Sequence, residues 1–181
     1  AEMTKKAKEI GARDTVFGSP NGLDSHLTAE QHHSTAYDMA LIGAYALENE
    51  TFREICGQAS AKVCFGNPPY ERWLTNSNKL LTMDETVIGV KTGFTDEAGR
   101  CLVSASVRNG ITLICVTLND RNDWQDHEVL YDYGFGQLSP QEVTFPADWT
   151  LPVTGGTTGT AAVAPAETLT VGVKDGNMPA W

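Results

Sequence analysis

A chain of 181 residues with 41% hydrophobic and 20% charged positions is a globular composition, long enough to bury a sizeable core in one domain, or one domain plus a small appendage. Thirteen basic residues against 23 acidic ones leave a formal net charge of −10, which argues against a nucleic-acid or anionic-membrane surface, because phosphate binding needs clustered Lys and Arg. No run of about 18 apolar residues occurs, so no segment reads as a membrane span, and no signal peptide is recognisable.

Residues 2–10 read as a helix. Met3, Ala7 and Ile10 recur at helical spacing and Gly11 is a stop signal. No capping residue precedes Glu2, so the expectation is that an upstream part of the protein lies outside these residues. Residues 14–24 form a β-prone stretch that runs into a Ser-Pro-Asn-Gly turn, and residues 25–33 read as a polar loop. A helix follows. Thr35 and Asp38 fit a capping box, with Ala36, Ala40, Gly43, Ala44 and Leu47 along one side. A second short helix is expected over 50–57. Residues 58–80 read as irregular, since Pro68 and Pro69 exclude regular helix.

The centre reads as sheet. Residues 86–93 are a strand candidate, and CLVSASV and ITLICVTL are joined through Asn109-Gly110, a strong hairpin signal. If those two are the turn residues, Cys115 faces Ser104 and Cys101 faces Leu118, so Cys101 and Cys115 lie on opposite faces and do not pair. Cys56 and Cys64 enclose a short loop. Either a disulfide or two buried free thiols fits them. Residues 123–132 return to helix with Asp123 as its cap. Helices, three antiparallel strands and a helix make an α+β architecture. After Phe135 the composition shifts to Thr, Val, Gly and Pro. Residues 136–181, with strand-like pieces at EVTF and TLTVGV, read as the start of a small, incomplete β domain; a disordered linker is the alternative.

One motif carries chemistry. Lys91-Thr92-Gly93 ends the first central strand. Alone it is weak, arising by chance in roughly one in ten chains of this length. Physically it suits one task. An edge strand can pair with an extended peptide, Gly lets that backbone come close, and a Lys ammonium beside a Thr hydroxyl can hold a carboxylate.

The surrounding segments narrow the choice. KAKEIGARDTVFGSPNGLD, HHSTAYDMALIGAYAL, NSNKLL, GVKTGFTDEAGRCLVSAS and LYDYGF, in that order, resemble the D-alanyl-D-alanine carboxypeptidases of the S11 serine peptidase family, the low-molecular-mass penicillin-binding proteins. The resemblance covers residues 1–135 and implies that these are the C-terminal part of a DD-peptidase/β-lactamase-like catalytic domain, with 136–181 resembling the start of the family's C-terminal β domain. The family works with S-x-x-K, S-x-N and K-T-G. No Ser or Thr here has a Lys three residues later, and Ser19-Pro20-Asn21, although it fits S-x-N, stands where the family has a structural turn.

The resemblance therefore implies a serine-type D-Ala-D-Ala carboxypeptidase whose nucleophile lies on an upstream segment, with this chain inactive alone. Lys91 would support proton transfer and bind the substrate carboxylate, Thr92 would donate to that carboxylate, Gly93 would allow close approach, and the backbone N–H of Phe94 would be an oxyanion donor. Some relatives carry His where Phe94 stands, so only its amide is assigned a role. The implied partners are peptidoglycan stem peptides ending in D-Ala-D-Ala, β-lactams and the upstream segment. The implied place is the cell envelope after export, in the periplasm or on the outer face of the cytoplasmic membrane, and no metal or organic cofactor is implied. A serine β-lactamase of the same fold and a non-catalytic envelope-binding module are the rival readings. Three features are set aside. His26, His32 and His33 lack the companions of a metal site. Arg121 reads as a solvated loop residue. Leu151-Pro152-Val153-Thr154-Gly155 matches a sorting signal without the apolar segment and basic tail that such a signal needs.

Overall fold

The computed structural model describes residues 2–23, 26–146 and 148–176. Residues 24 and 25 of the expected turn and loop, and the last five residues of the expected β domain, lie outside the described residues.

Helix α1 (Glu2–Glu9) buries Ala7 and leaves Met3 exposed. The expected β-prone stretch shrinks to one bridge, Val16 with His33, which also ends the expected loop. Helix α2 (Ala36–Leu47) starts at Thr35, whose hydroxyl accepts the Asp38 N–H at 3.1 Å. The expected capping box is only half formed. The Asp38 carboxylate turns away and accepts the Asp14 N–H at 2.8 Å and the Thr15 hydroxyl at 2.6 Å, tying the preceding segment to the helix. Of the expected stripe, Gly43 and Leu47 are buried while Ala36 and Ala44 face solvent. A Cβ at Gly43 would stand 3.0 Å from Val103 Cγ1, so glycine sets how closely this helix approaches the sheet. Helix α3 (Glu50–Cys56) follows, capped by the Asn49 side chain.

Residues 58–80 are not irregular. They form a hairpin of β1 (Ser60–Phe65) and β2 (Tyr70–Thr75), then a short helix α4 (Leu80–Met83). The prolines exclude helix, as expected, but they sit in the turn. Gly66 at φ +111° lets the turn close where a Cβ would stand 2.8 Å from the Tyr70 ring. Arg72 lies over both Phe65 and Tyr70 at 4.4 and 4.1 Å.

Strands β3 (Val87–Thr95), β4 (Gly99–Arg108) and β5 (Ile111–Thr117) form an antiparallel sheet in that order. The expected register holds, with Ser104 opposite Cys115 and Arg108 opposite Ile111. Helix α5 (Asp123–Gly136) runs four residues beyond its expected end. Asn122, not Asp123, occupies the capping position, and Asp123 is the first helical residue. Helices cover both faces of the central strand. On one face Leu47 of α2 and Cys56 of α3 meet Val103, Ala105 and Ile114. On the other, Leu80 of α4 and Tyr131 of α5 meet Leu102 and Cys115. Strands β3 and β5 are the sheet's two edges.

The tail holds β6 (Ser139–Glu142), β7 (Thr150–Pro152), β8 (Thr160–Ala162) and β9 (Thr170–Val173), paired β6 with β9 and β7 with β8. Strand β9 falls within the expected TLTVGV, whereas β6 ends where EVTF begins. Leu151 and Pro152 lie in β7, and the bonded pair Val153 N–H to Gly159 carbonyl turns the chain after them. All four cysteines are free thiols, but Cys56 is half-buried and Cys64 exposed, so the reading of two buried thiols is wrong. Among the described residues no helix is long and apolar enough to cross a membrane.

Candidate active site

The K-T-G residues lie within the edge strand β3 rather than ending it as expected, because pairing continues through Phe94 and Thr95 to the turn into β4. Lys91 pairs with Val103, Thr92 with Leu102, Gly93 with Cys101 and Phe94 with Arg100. Lys91, Gly93 and Phe94 are exposed and Thr92 is half-buried. Lys91 Nζ donates to the Thr92 carbonyl. No carboxylate among the described residues forms a salt bridge with it.

Gly93 has an ordinary φ, and a Cβ built on it would meet nothing nearer than 3.9 Å, the Cβ and carbonyl of Cys101. The fold itself does not require glycine here. What a side chain at 93 would obstruct is the solvent side of the strand, where a second backbone could lie.

An open cleft of about 1140 Å³ borders this part of the strand. Lys91, Thr92, Gly93 and Phe94 line it, and so do Ser19 and Asn21. Ser19-Pro20-Asn21 is a hydrogen-bonded turn, with the Ser19 hydroxyl on the Asn21 side-chain oxygen, which in turn accepts the Leu23 N–H at 3.0 Å. That agrees with its reading as a structural turn. His32 is tied to the backbone, its Nδ1 accepting the Gly18 N–H at 3.2 Å. Arg121 is exposed in the loop before α5 and does not line the cleft.

Three groups escaped the sequence reading. Ser77 touches the motif, its Oγ 3.0 Å from Thr92 Oγ1. Arg100 lines the cleft opposite Phe94. Its guanidinium forks onto Asp123 at 2.6 and 3.2 Å and lies 5.2 Å from the Trp124 ring, so its charge is already balanced. The third is a buried network behind the sheet. Ser104 Oγ lies 2.6 Å from His127 Nδ1 and also bonds the Tyr131 hydroxyl at 2.5 Å, while His127 Nε2 lies 3.0 Å from Thr117 Oγ1. Burial lowers the His127 pKa from 6.5 to about 4, with the Asp123 and Asp120 carboxylates pulling weakly the other way. Burial also raises Tyr131, against the Ser104 hydrogen bond. His127 and Ser104 are fully buried and absent from the cleft lining, so this Ser–His pair is structural.

Residues 1–122 match the D-alanyl-D-alanine carboxypeptidase family, Peptidase_S11, and the chain belongs to that family. It is 37% identical over 115 residues to the D-alanyl-D-alanine carboxypeptidase DacF of Bacillus subtilis, covering 64% of this chain and 28% of that protein. It is 32% identical over 147 residues to DacB2 of Mycobacterium tuberculosis, covering 78% of this chain and 49% of that protein. The chain thus spans half or less of the length of these relatives. The crystal structure of the Streptomyces K15 DD-transpeptidase matches 75% of this chain and 53% of its own with a TM-score of 0.66 at 30% identity. The DD-peptidase architecture implied by the resemblance is the one found.

Proposed function

We propose that the protein carrying these residues is a serine-type D-Ala-D-Ala carboxypeptidase that removes the terminal D-alanine from peptidoglycan stem peptides. These residues supply its K-T-G strand, and a segment outside them supplies the nucleophilic Ser. The observation that carries the reading is the K-T-G segment of an edge strand, with Lys91 and Gly93 exposed and bordering an open cleft, in a chain of the carboxypeptidase family.

In this reading the substrate lies extended against β3. Its carboxylate meets the Lys91 ammonium and the Thr92 hydroxyl, Gly93 leaves room for its backbone, and the Phe94 N–H faces its scissile carbonyl oxygen. The Ser hydroxyl adds to that carbonyl. Its proton passes to the departing amine, D-alanine leaves, and an ester remains; water then cleaves the ester and restores the Ser. Lys91 keeps positive potential beside this proton transfer. A β-lactam would acylate the same Ser. The substrate belongs to the cell envelope, so the protein acts there after export.

The test uses the full-length protein. Expected are release of D-alanine from a peptide ending in D-Ala-D-Ala and a covalent fluorescent-penicillin label that maps outside residues 1–181, with none on this chain when it is prepared alone. A stable label on these residues, or no release of D-alanine, would overturn the assignment.

A further inference from the structure

We infer that Ser77 is a positioning residue for the carboxylate site: its hydroxyl donates to Thr92 Oγ1 and thereby aims the Thr92 proton at the substrate carboxylate. The role rests on the carboxypeptidase reading above and adds to it a residue outside the K-T-G motif.

The geometry is specific. Ser77 Oγ lies 3.0 Å from Thr92 Oγ1, and both residues line the cleft. Ser77 sits between two anchored asparagines. Asn76 Nδ2 donates to the Cys56 carbonyl at 3.2 Å and the Gln58 carbonyl at 3.0 Å, and the Asn76 N–H bonds the Ala59 carbonyl at 2.9 Å. Asn78 is buried, its N–H bonds Asn76 Oδ1 at 2.9 Å, and its own Oδ1 accepts the Leu80 N–H at 3.2 Å. Leu80 is fully buried beneath the sheet. The Ser77 backbone is therefore held from both sides by bonds that do not involve its own side chain. The hydroxyl is exposed, so the fold does not depend on it, and the neighbour it reaches is Thr92.

The direction of the bond follows from charge. A hydroxyl rotor carries one proton, and each of the two oxygens can give or accept. If Thr92 donated to Ser77, its proton would point away from the place where an anion binds. With a carboxylate at Thr92, the arrangement Ser77 to Thr92 to carboxylate lines up each O–H dipole toward the negative charge, and each bond polarises the next. A Thr92 hydroxyl lacking Ser77 would still bond the carboxylate, but would first have to be withdrawn from other rotamers and from water.

The experiment compares the full-length wild type with Ser77→Ala, Ser77→Thr, Thr92→Ala and the Ser77→Ala/Thr92→Ala pair. Each is given a peptide ending in D-Ala-D-Ala and the same peptide amidated at its C-terminus. Ser77→Ala should lower kcat/KM on the acid peptide about three- to tenfold, the range of one net hydrogen bond, and Ser77→Thr should restore it to within about twofold. The amidated peptide should lose much less, so the acid-to-amide ratio falls. In the Thr92→Ala background, Ser77→Ala should cost nothing further. A purely structural role would slow both peptides alike and would add to Thr92→Ala. Either of those results, or a Ser77→Ala variant equal to wild type, overturns the inference. Should circular dichroism show Ser77→Ala unfolded, Ser77→Cys carries the same comparison with a far weaker donor. A wild type that neither releases D-alanine nor takes a penicillin label overturns the carboxypeptidase reading and this inference with it. An active wild type with Ser77→Ala unchanged overturns this inference alone.

Discussion

Replacing Lys91 by Ala separates function from fold more cleanly than any other change in the strand. Its side chain is exposed, its pairing with Val103 uses backbone groups, and its bond in the free chain is to the carbonyl of its own neighbour. Exposed substitutions of this kind usually shift stability by about 0.5 kcal/mol or less. A charge-assisted hydrogen bond to the substrate carboxylate contributes about 1.5 to 3 kcal/mol, so its loss should lower kcat/KM by roughly tenfold to a hundredfold or somewhat more. Lys91→Ala should cost more than Thr92→Ala, because it also removes positive potential beside the proton transfer, and Thr92→Ser should be mild because the hydroxyl that meets Ser77 survives. The assay is D-alanine release by the full-length protein, with circular dichroism to show that each variant is folded. A folded Lys91→Ala variant with wild-type turnover would refute the placement of the carboxylate site on β3.

Two further outcomes test the packing behind the site. Gly89→Ala should lower the melting temperature of the full-length protein by several degrees, since φ is +153° and a Cβ there would stand 2.6 Å from Cys56 Sγ; Cys56→Ala in the same chain should recover part of the loss, and no recovery would place the cost elsewhere. The buried His127 should make the protein acid-sensitive. Its folded pKa of about 4 lies below the unfolded value near 6.5, so its full contribution is present above pH 6.5 and is lost as pH falls toward and through 4, on the order of 3 kcal/mol in all. Melting curves between pH 7 and 4 should fall less steeply for His127→Leu, even though that variant starts lower because Ser104 and Thr117 lose a partner; equal slopes would refute the assignment.

The elements that could be read from the chain are those whose signals are local. Asn109 and Gly110 both take positive φ, so the hairpin turn and with it the whole β4–β5 register follow from two residues. Thr35 announces the start of α2 because a cap is a contact three residues long. The β1–β2 hairpin was missed because every residue of β2 is exposed, which leaves no alternation of apolar and polar positions to detect. Lys91, Thr92 and Gly93 were legible as a tripeptide, whereas Ser77 was not. A lone hydroxyl between two asparagines carries no pattern, and its meaning comes from a strand 15 residues later. The network at Ser104 shows the same limit from the inside. Strand β4 is central and covered on both faces, so its serines stand among apolar neighbours on either side. A strand buried on one face only would have offered Ser104 and Ser106 to water. Here each must find a partner elsewhere in the chain: Ser104 takes His127 and Tyr131 of α5, and Ser106 takes the hydroxyl of Thr86, in the turn before β3, at 2.6 Å. A hydroxyl at a core position of a strand therefore calls for a polar group among the residues packed around it. For Ser104 that group is His127, on the buried stripe of α5 between Trp124 and Tyr131.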